Sequence, residues 1–171
     1  METTLVNITD IDLLQQISRQ TFAETFSASN SEENMKKYLD EAYSLDKLSA
    51  ELQDPGARFY FAREGGEPVG YLKLNSETAQ TELKDERALE IERIYVLSSW
   101  QGKQVGQLLY NKAIEVAREL QADYIWLGVW EENQRAIRFY ERNGFVAFDK
   151  HIFRLGDDEQ TDIMMKRPVE K

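Results

Sequence analysis

Residues 89–114 read LEIERIYVLSSWQGKQVGQLLYNKAI, a strand, a short loop and a helix in one continuous stretch. Leu89 to Val96 is rich in β-branched and aromatic residues and predicts a strand. From Gln104 to Leu120, the residues Val105, Leu108, Leu109, Ala113, Val116, Ala117 and Leu120 recur at helical spacing and predict an amphipathic helix. Between the two lie Gly102 and Gly106. Backbone N–H groups at such a junction have no intrahelical partner, and the helix dipole adds to them, so the loop forms an anion site suited to a pyrophosphate. Small residues let a phosphate approach the backbone. A P-loop would need Gly-Lys-Ser/Thr at the helix start, whereas Gly106 is followed by Gln107. A dinucleotide fold would need Gly-x-Gly-x-x-Gly and a regular βαβ alternation, and neither is present. A strand-to-helix turn that binds nothing is the plain alternative for this segment taken alone.

Working outward, Thr3–Ile8 predicts a first strand, and Thr9 or Asp10 caps a following helix that carries Leu13, Leu14, Ile17, Thr21 and Phe22. Ser31 starts a second helix with Met35, Tyr38 and Leu39. Residues 44–52 form a third, ended by Pro55-Gly56. Residues 58–63 and 69–74 form a hairpin about the turn Glu64-Gly65-Gly66-Glu67. Downstream, Tyr124–Trp130 is almost wholly apolar, as a central strand requires. A helix over Asn133–Arg142 stops at Gly144. Two strands follow, residues 145–153 and 161–166, with Asp157, Asp158 and Glu159 in the loop between them. The order predicts a mixed α/β fold in one domain, 1–171. Its sheet is mostly antiparallel, with one parallel pair where the long helix joins the strands at Leu89 and Tyr124, and helices cover both faces.

The chain has 171 residues, enough to bury a sizeable core, and a formal charge of −10. That balance argues against a nucleic-acid groove and against docking on an anionic membrane, and it favours a cationic small-molecule partner. With no cysteine there is no disulfide framework, thiol nucleophile or Cys-based zinc site, and no metal is expected. No apolar run reaches membrane-spanning length and no signal peptide stands at the N-terminus, so a soluble, cytoplasmic protein is expected.

Gln101-Gly102-Lys103-Gln104-Val105-Gly106 resembles motif A of the GNAT N-acetyltransferase superfamily, Gln/Arg-x-x-Gly-x-Gly/Ala, with Gln104 in place of the middle glycine. Gln104 therefore either needs no glycine-only conformation or sits in a rearranged loop. Residues 132–140, ENQRAIRFY, followed by Gly144-Phe145, resemble motif B. Within the superfamily, SEENMKKYL, LEIERIYV, IWLGVWE and GDDEQTD are most similar to the PaiA-type polyamine N-acetyltransferases. The resemblance implies the acyl-CoA N-acyltransferase fold, acetyl-CoA as cosubstrate and an amine such as spermidine or spermine as acceptor. A peptide N-terminus or another small amine is the alternative acceptor, and a non-catalytic acyl-CoA-binding module the alternative class. A homodimer is compatible with it.

The resemblance also assigns roles. Ile94, Tyr95 and Val96 pair with the pantetheine arm as an extra strand would, and their backbone offers an oxyanion site. Gln101, Gly102, Lys103, Gln104, Val105, Gly106 and Gln107 hold the pyrophosphate, Lys103 adding charge. Asn133 caps the last helix or bonds the pantetheine. Tyr140 is the general acid toward the leaving thiolate and borders the cofactor. Glu90 and Glu92, two apart on one strand, share a face, and their mutual repulsion raises one of them toward neutrality, so that either can serve as general base. Glu32, Glu33, Asp40 and Glu41 on the N-terminal helices are candidates to attract a polyamine. His151, the sole histidine, is expected to be structural, with no acidic partner; Trp130 is expected in the core.

Overall fold

The computed structural model describes residues 1–170; Lys171, the last residue of the expected 1–171 unit, lies outside them. The chain runs β1 (Glu2–Leu5), α1 (Ile11–Phe26), α2 (Glu32–Ala42), α3 (Leu45–Gln53), β2 (Ala57–Glu64), β3 (Glu67–Ser76), β4 (Ala88–Val96), α4 (Val105–Glu119), β5 (Tyr124–Trp130), α5 (Gln134–Arg142), β6 (Val146–Leu155) and β7 (Asp158–Pro168). All seven strands form one sheet in the order β1-β2-β3-β4-β5-β7-β6. Among the described residues only β4 and β5 run parallel. The mixed α/β class, the parallel pair and the central place of β5 are as the sequence predicts. No described helix is long and apolar enough to cross a membrane.

The helices divide between the two faces. Leu109, Tyr110, Ala113, Val116 and Ala117 of α4, with Tyr140 of α5, pack on Leu72, Leu74, Leu89 and Ile91 of one face. On the other face Leu14, Ile17, Phe22 and Phe26 of α1, with Met35 and Leu48, pack on Phe59, Phe61 and Tyr71. Each core follows from its element's period, 3.6 in the helices and 2 in the strands.

Caps set the helix starts. Ser31 Oγ accepts the Asn34 N–H, Ser44 Oγ the Lys47 N–H and Asn133 Oδ1 the Ala136 N–H. Gly144, at φ 91°, ends α5, and the Phe145 N–H reaches back to the Tyr140 carbonyl.

Some expectations need correction. The first strand stops at Leu5, because Ile8–Asp10 already turns as a short 3-10 helix. Asp10 bonds backward to the Asn7 N–H at 3.0 Å and gives α1 no side-chain cap. Asp158 and Glu159 are not in a loop: they begin β7, and the β6–β7 connection shrinks to Gly156-Asp157. Leu120 caps α4 and is 41% exposed, so the apolar stripe ends one turn early.

Candidate active site

β4 and β5 pair only from Ala88↔Tyr124 to Ile91↔Leu127, although β4 continues to Val96 and β5 to Trp130. Beyond Ile91 the two strands no longer pair. A cleft of 790 Å³ lies there, lined on one side by Ile94, Val96 and the start of α4 and on the other by α5. The edge of β4 that faces it offers backbone groups to an extended ligand.

The separation begins at a bulge. Lys73 of β3 lies opposite Arg93, but Leu74 lies opposite Ile91, so Glu92 is an extra residue. One inserted residue shifts the alternation downstream. Glu92 and Arg93 therefore both turn to the α1–α3 face: Arg93 sits 5.1 Å over the Tyr43 ring and pairs with Glu51, and Glu92 pairs with Lys73. Ile94 returns to the α4 core and Tyr95 to the opposite one. Without the bulge Ile94 and Val96 would share a face with Glu90 and Glu92.

Glu90 and Glu92 are close, as expected, and Asn75 Nδ2 bridges them at 3.0 and 2.8 Å. Their environments nevertheless differ. Burial pushes the Glu92 carboxyl up, but Arg93 and Lys73 outweigh it and hold it at about 2. Lys73 Nζ lies 2.7 Å and Arg93 Nη2 3.0 Å from its oxygens, and Glu51 closes the four-membered network. Glu90 is 3% exposed, and burial raises its carboxyl against hydrogen bonds from Thr81 and Asn75. Both its oxygens are engaged, Oε1 by the Thr81 N–H and Asn75, Oε2 by the Thr81 hydroxyl at 2.6 Å. One carboxyl is thus raised, but through burial first and the neighbouring charge last.

At the other end of the cleft, α4 opens on Gln101–Gln104. Gln104 is the residue before the first helical turn and takes φ 67°, ψ 13°. It adopts the left-handed conformation that glycine would adopt freely. An added Cβ at Gly102 or Gly106 would meet no protein atom within 4 Å. At Gly106 the backbone is ordinary for a helix, so the missing side chain serves neither packing nor dihedral freedom. It leaves open space above the first amides of a fifteen-residue helix. Gln101, Gly102, Gln104, Val105, Gly106 and Gln107 line the cleft, with Asn133 and Tyr140. Lys103 does not line it; its ammonium sits 4.8 Å over the Trp100 ring. The cations at this end are Arg135, which donates to Gln101 Oε1 at 2.9 Å, and Arg142. Burial pushes the Tyr140 hydroxyl well above the ordinary phenol range.

A profile of the acetyltransferase (GNAT) family matches residues 15–145. The chain belongs to the GNAT acetyltransferase family. It is 45% identical over 167 residues, 96% of each chain, to an uncharacterized N-acetyltransferase in the pepI 3′ region of Lactobacillus delbrueckii subsp. lactis. It is 22% identical over 169 residues, covering 96% of this chain and 95% of the relative, to the spermidine N(1)-acetyltransferase of Thermoplasma acidophilum. Among solved structures, the PaiA N-acetyltransferase of Thermoplasma acidophilum in complex with coenzyme A superposes with a TM-score of 0.79 at 21% identity. That match covers 98% of this chain and 99% of the other, and it supports the fold.

Within this GNAT chain, several residues on the α1–α3 side of the cleft escape a reading of the sequence. His151 is flanked by two carboxylates, Glu82 at 3.3 Å from Nδ1 and Asp162 at 3.6 Å from Nε2, which corrects the expectation that it has no acidic partner. Gly128 floors the space between β4 and Asp162. Trp130 is 9% exposed and packs 5.1 Å from Phe26 in the core, as expected, while one side borders the cleft. Glu32, Glu33, Asp40 and Glu41 do not line the cleft, and Asp40 is held by Arg19 and Lys36. Strand register, not residue type, would have found the His151 pairing: His151 lies opposite Asp162, which lies opposite Trp130.

Proposed function

We propose that this protein transfers the acetyl group of acetyl-CoA to a primary amine by direct attack, with a polyamine such as spermidine as the acceptor class. The observation that carries the reading is the gap between β4 and β5, which has an anion-binding helix start at one end and a carboxylate-rich wall at the other. The residues present fit coenzyme A. Gly102 and Gly106 leave their Cβ positions open, the amides from Gln101 to Gln107 suit a pyrophosphate, and Arg135 and Arg142 supply the charge. The β4 edge from Ile94 to Val96 suits the two amides of pantetheine. The thioester then lies beside the bulge, where backbone N–H groups stabilise the oxyanion.

Acetyl-CoA supplies an activated acyl carbon when bound. The chain supplies the rest. Tyr140 keeps its proton at ordinary pH and gives it to the departing thiolate; the dry surroundings that raise the phenol also raise the proton affinity of the thiolate. Glu92 stays charged and fixes Arg93 and Lys73 around the bulge. Glu90 is anchored by Thr81 and Asn75 and adds to the negative wall. Neither glutamate is a free base, since one is neutralised by two cations and the other has both oxygens occupied. A cation is drawn to this wall, in line with the weak likeness to the Thermoplasma spermidine enzyme.

The experiment is a panel of amines assayed for thiol release from acetyl-CoA, repeated with Tyr140→Phe. Spermidine or spermine should lead the panel, and the variant should lose about a hundredfold or more in kcat with coenzyme A affinity unchanged. Equal rates would remove Tyr140 from the mechanism, and a preference for peptide N-termini would remove the polyamine reading.

A further inference from the structure

The carboxylates assigned by position leave the amine's proton without a free acceptor, and the cleft offers another row of groups. His151 of β6 lies directly opposite Asp162 of β7, and Glu82 approaches from the β3–β4 connection. All three line the cleft. His151 Nε2 is 3.6 Å from Asp162 Oδ2, and Nδ1 is 3.3 Å from Glu82 Oε1. The side chains grow more exposed along the row: 16% for Asp162, 28% for His151 and 38% for Glu82. The deep end lies beside Gly128 of β5, where a Cβ would stand 3.4 Å from Asp162 Oδ2 and 3.5 Å from His151 Cε1. The shallow end faces water.

We propose that Asp162, His151 and Glu82 form a proton wire that strips the acceptor ammonium and carries its proton to solvent. This rests on the acetyl-transfer reading. An amine arrives as an ammonium and cannot attack until an N–H bond breaks and its electron pair stays on nitrogen. The proton goes to an Asp162 oxygen. It passes to His151 Nε2, the Nδ1 proton passes to Glu82, and Glu82 releases it. The lone pair then forms the C–N bond at the thioester carbon as the carbonyl π pair moves to oxygen, giving a tetrahedral adduct. The adduct sheds its second N–H proton and collapses with cleavage of the C–S bond; the thiolate takes a proton from Tyr140, the second N–H proton restores Tyr140, and one net proton leaves per turnover. Imidazole suits this role because it accepts at one nitrogen while donating from the other. At 3.3 and 3.6 Å neither contact is a formed hydrogen bond, and the transfer requires both to tighten when substrate binds.

Other groups facing the row are already committed. From β4, Glu92 and Arg93 close ion pairs with Lys73 and Glu51, and Glu90 is held by Thr81 and Asn75. From α2, Tyr38 feels Asp162, Glu92 and Arg93, and burial pushes its hydroxyl up to about 12, so it stays protonated. Burial also raises Asp162, with Glu82 adding to the rise and His151 opposing it, which makes Asp162 readier to take a proton. The three side chains form a row, not a cage, and no described cluster of His, Cys, Asp or Glu is placed to hold a metal.

The test is the pH–rate profile of wild type, Asp162→Asn, His151→Gln, His151→Ala and Glu82→Gln with acetyl-CoA and spermidine. Thermal stability and coenzyme A affinity are measured alongside. His151→Gln should lose ten- to a hundredfold in kcat and shift the acid limb of the profile, with coenzyme A affinity unchanged. Added imidazole should restore rate to His151→Ala. Asp162→Asn should lose at least as much as His151→Gln, and the more exposed Glu82→Gln should lose only a few-fold, since water replaces it. Wild-type rates and profile in His151→Gln, or no rescue by imidazole in a folded His151→Ala, would overturn the wire while leaving acetyl transfer intact. A wild-type protein that acetylates no amine would overturn both.

Discussion

Replacing Glu92 by Gln tests the charge network at the β4 bulge. Lys73, Arg93 and Glu51 side chains there are 7%, 11% and 14% exposed, and Glu92 is 20% exposed. Glu92 sits at about 2 rather than its ordinary 4.5. At 1.36 kcal/mol per tenfold, that difference favours the folded, charged form by about 3 kcal/mol. Breaking one partner out of a buried ion pair costs about 3–5 kcal/mol, and the two figures agree. Because the folded value is depressed, the contribution is complete above pH 4.5 and is lost as pH falls toward 2. Urea unfolding followed by the three tryptophans should show a midpoint drop of about 1.5 M at pH 7, taking a slope of about 2 kcal/mol/M. In a thermal scan the drop should be roughly 6–12 °C. The gap between wild type and variant should close toward pH 2. A thermal shift below about 2 °C at pH 7, or a gap that stays constant down to pH 2, would refute the reasoning.

Gln104→Gly relieves a left-handed backbone that costs a side-chain-bearing residue about 1 kcal/mol, partly offset by the freer unfolded chain. Its melting temperature should rise by roughly 1–3 °C, and a fall would show that the Gln104 side chain holds the loop. Gly128→Val fills the space beside Asp162 without touching the helix start. Steady-state kinetics should show the amine KM raised tenfold or more and coenzyme A affinity unchanged; a selective loss of coenzyme A binding would mean that the two ends of the cleft have been assigned the wrong way round.

The fold was legible because its signals are local. Ser31, Ser44 and Asn133 announce helix starts, Gly65-Gly66 a hairpin, and the apolar run of residues 124–130 a central strand. The α4 junction was legible for the same reason, through Gly102 and Gly106. What escaped depends on register. The period-2 rule puts Glu90 and Glu92 on one face, and that held, but a bulge at Glu92 inverts everything after it and brings Arg93 to the same side. Nothing in the string ERIYV marks that insertion. His151 and Asp162 are eleven residues apart and meet only because β6 and β7 fold into a tight hairpin about Gly156-Asp157. Lys103 was the obvious cation by sequence, yet it stacks on Trp100, and Arg135 reaches the site from α5 through its bond to Gln101.

The open amides at the start of α4 are the centre of the proposed function, and calorimetric titration of acetyl-CoA into wild type and Gly106→Asp tests them most directly. A Cβ at Gly106 meets no protein atom within 4 Å, and an acid in the first helical turn suits the dipole, so the variant should melt no lower than wild type. Wild type should bind one acetyl-CoA per chain, and the variant should lose at least thirtyfold in affinity because its carboxylate opposes the pyrophosphate. Equal affinity in the two proteins, or no binding by folded wild type, would contradict the account.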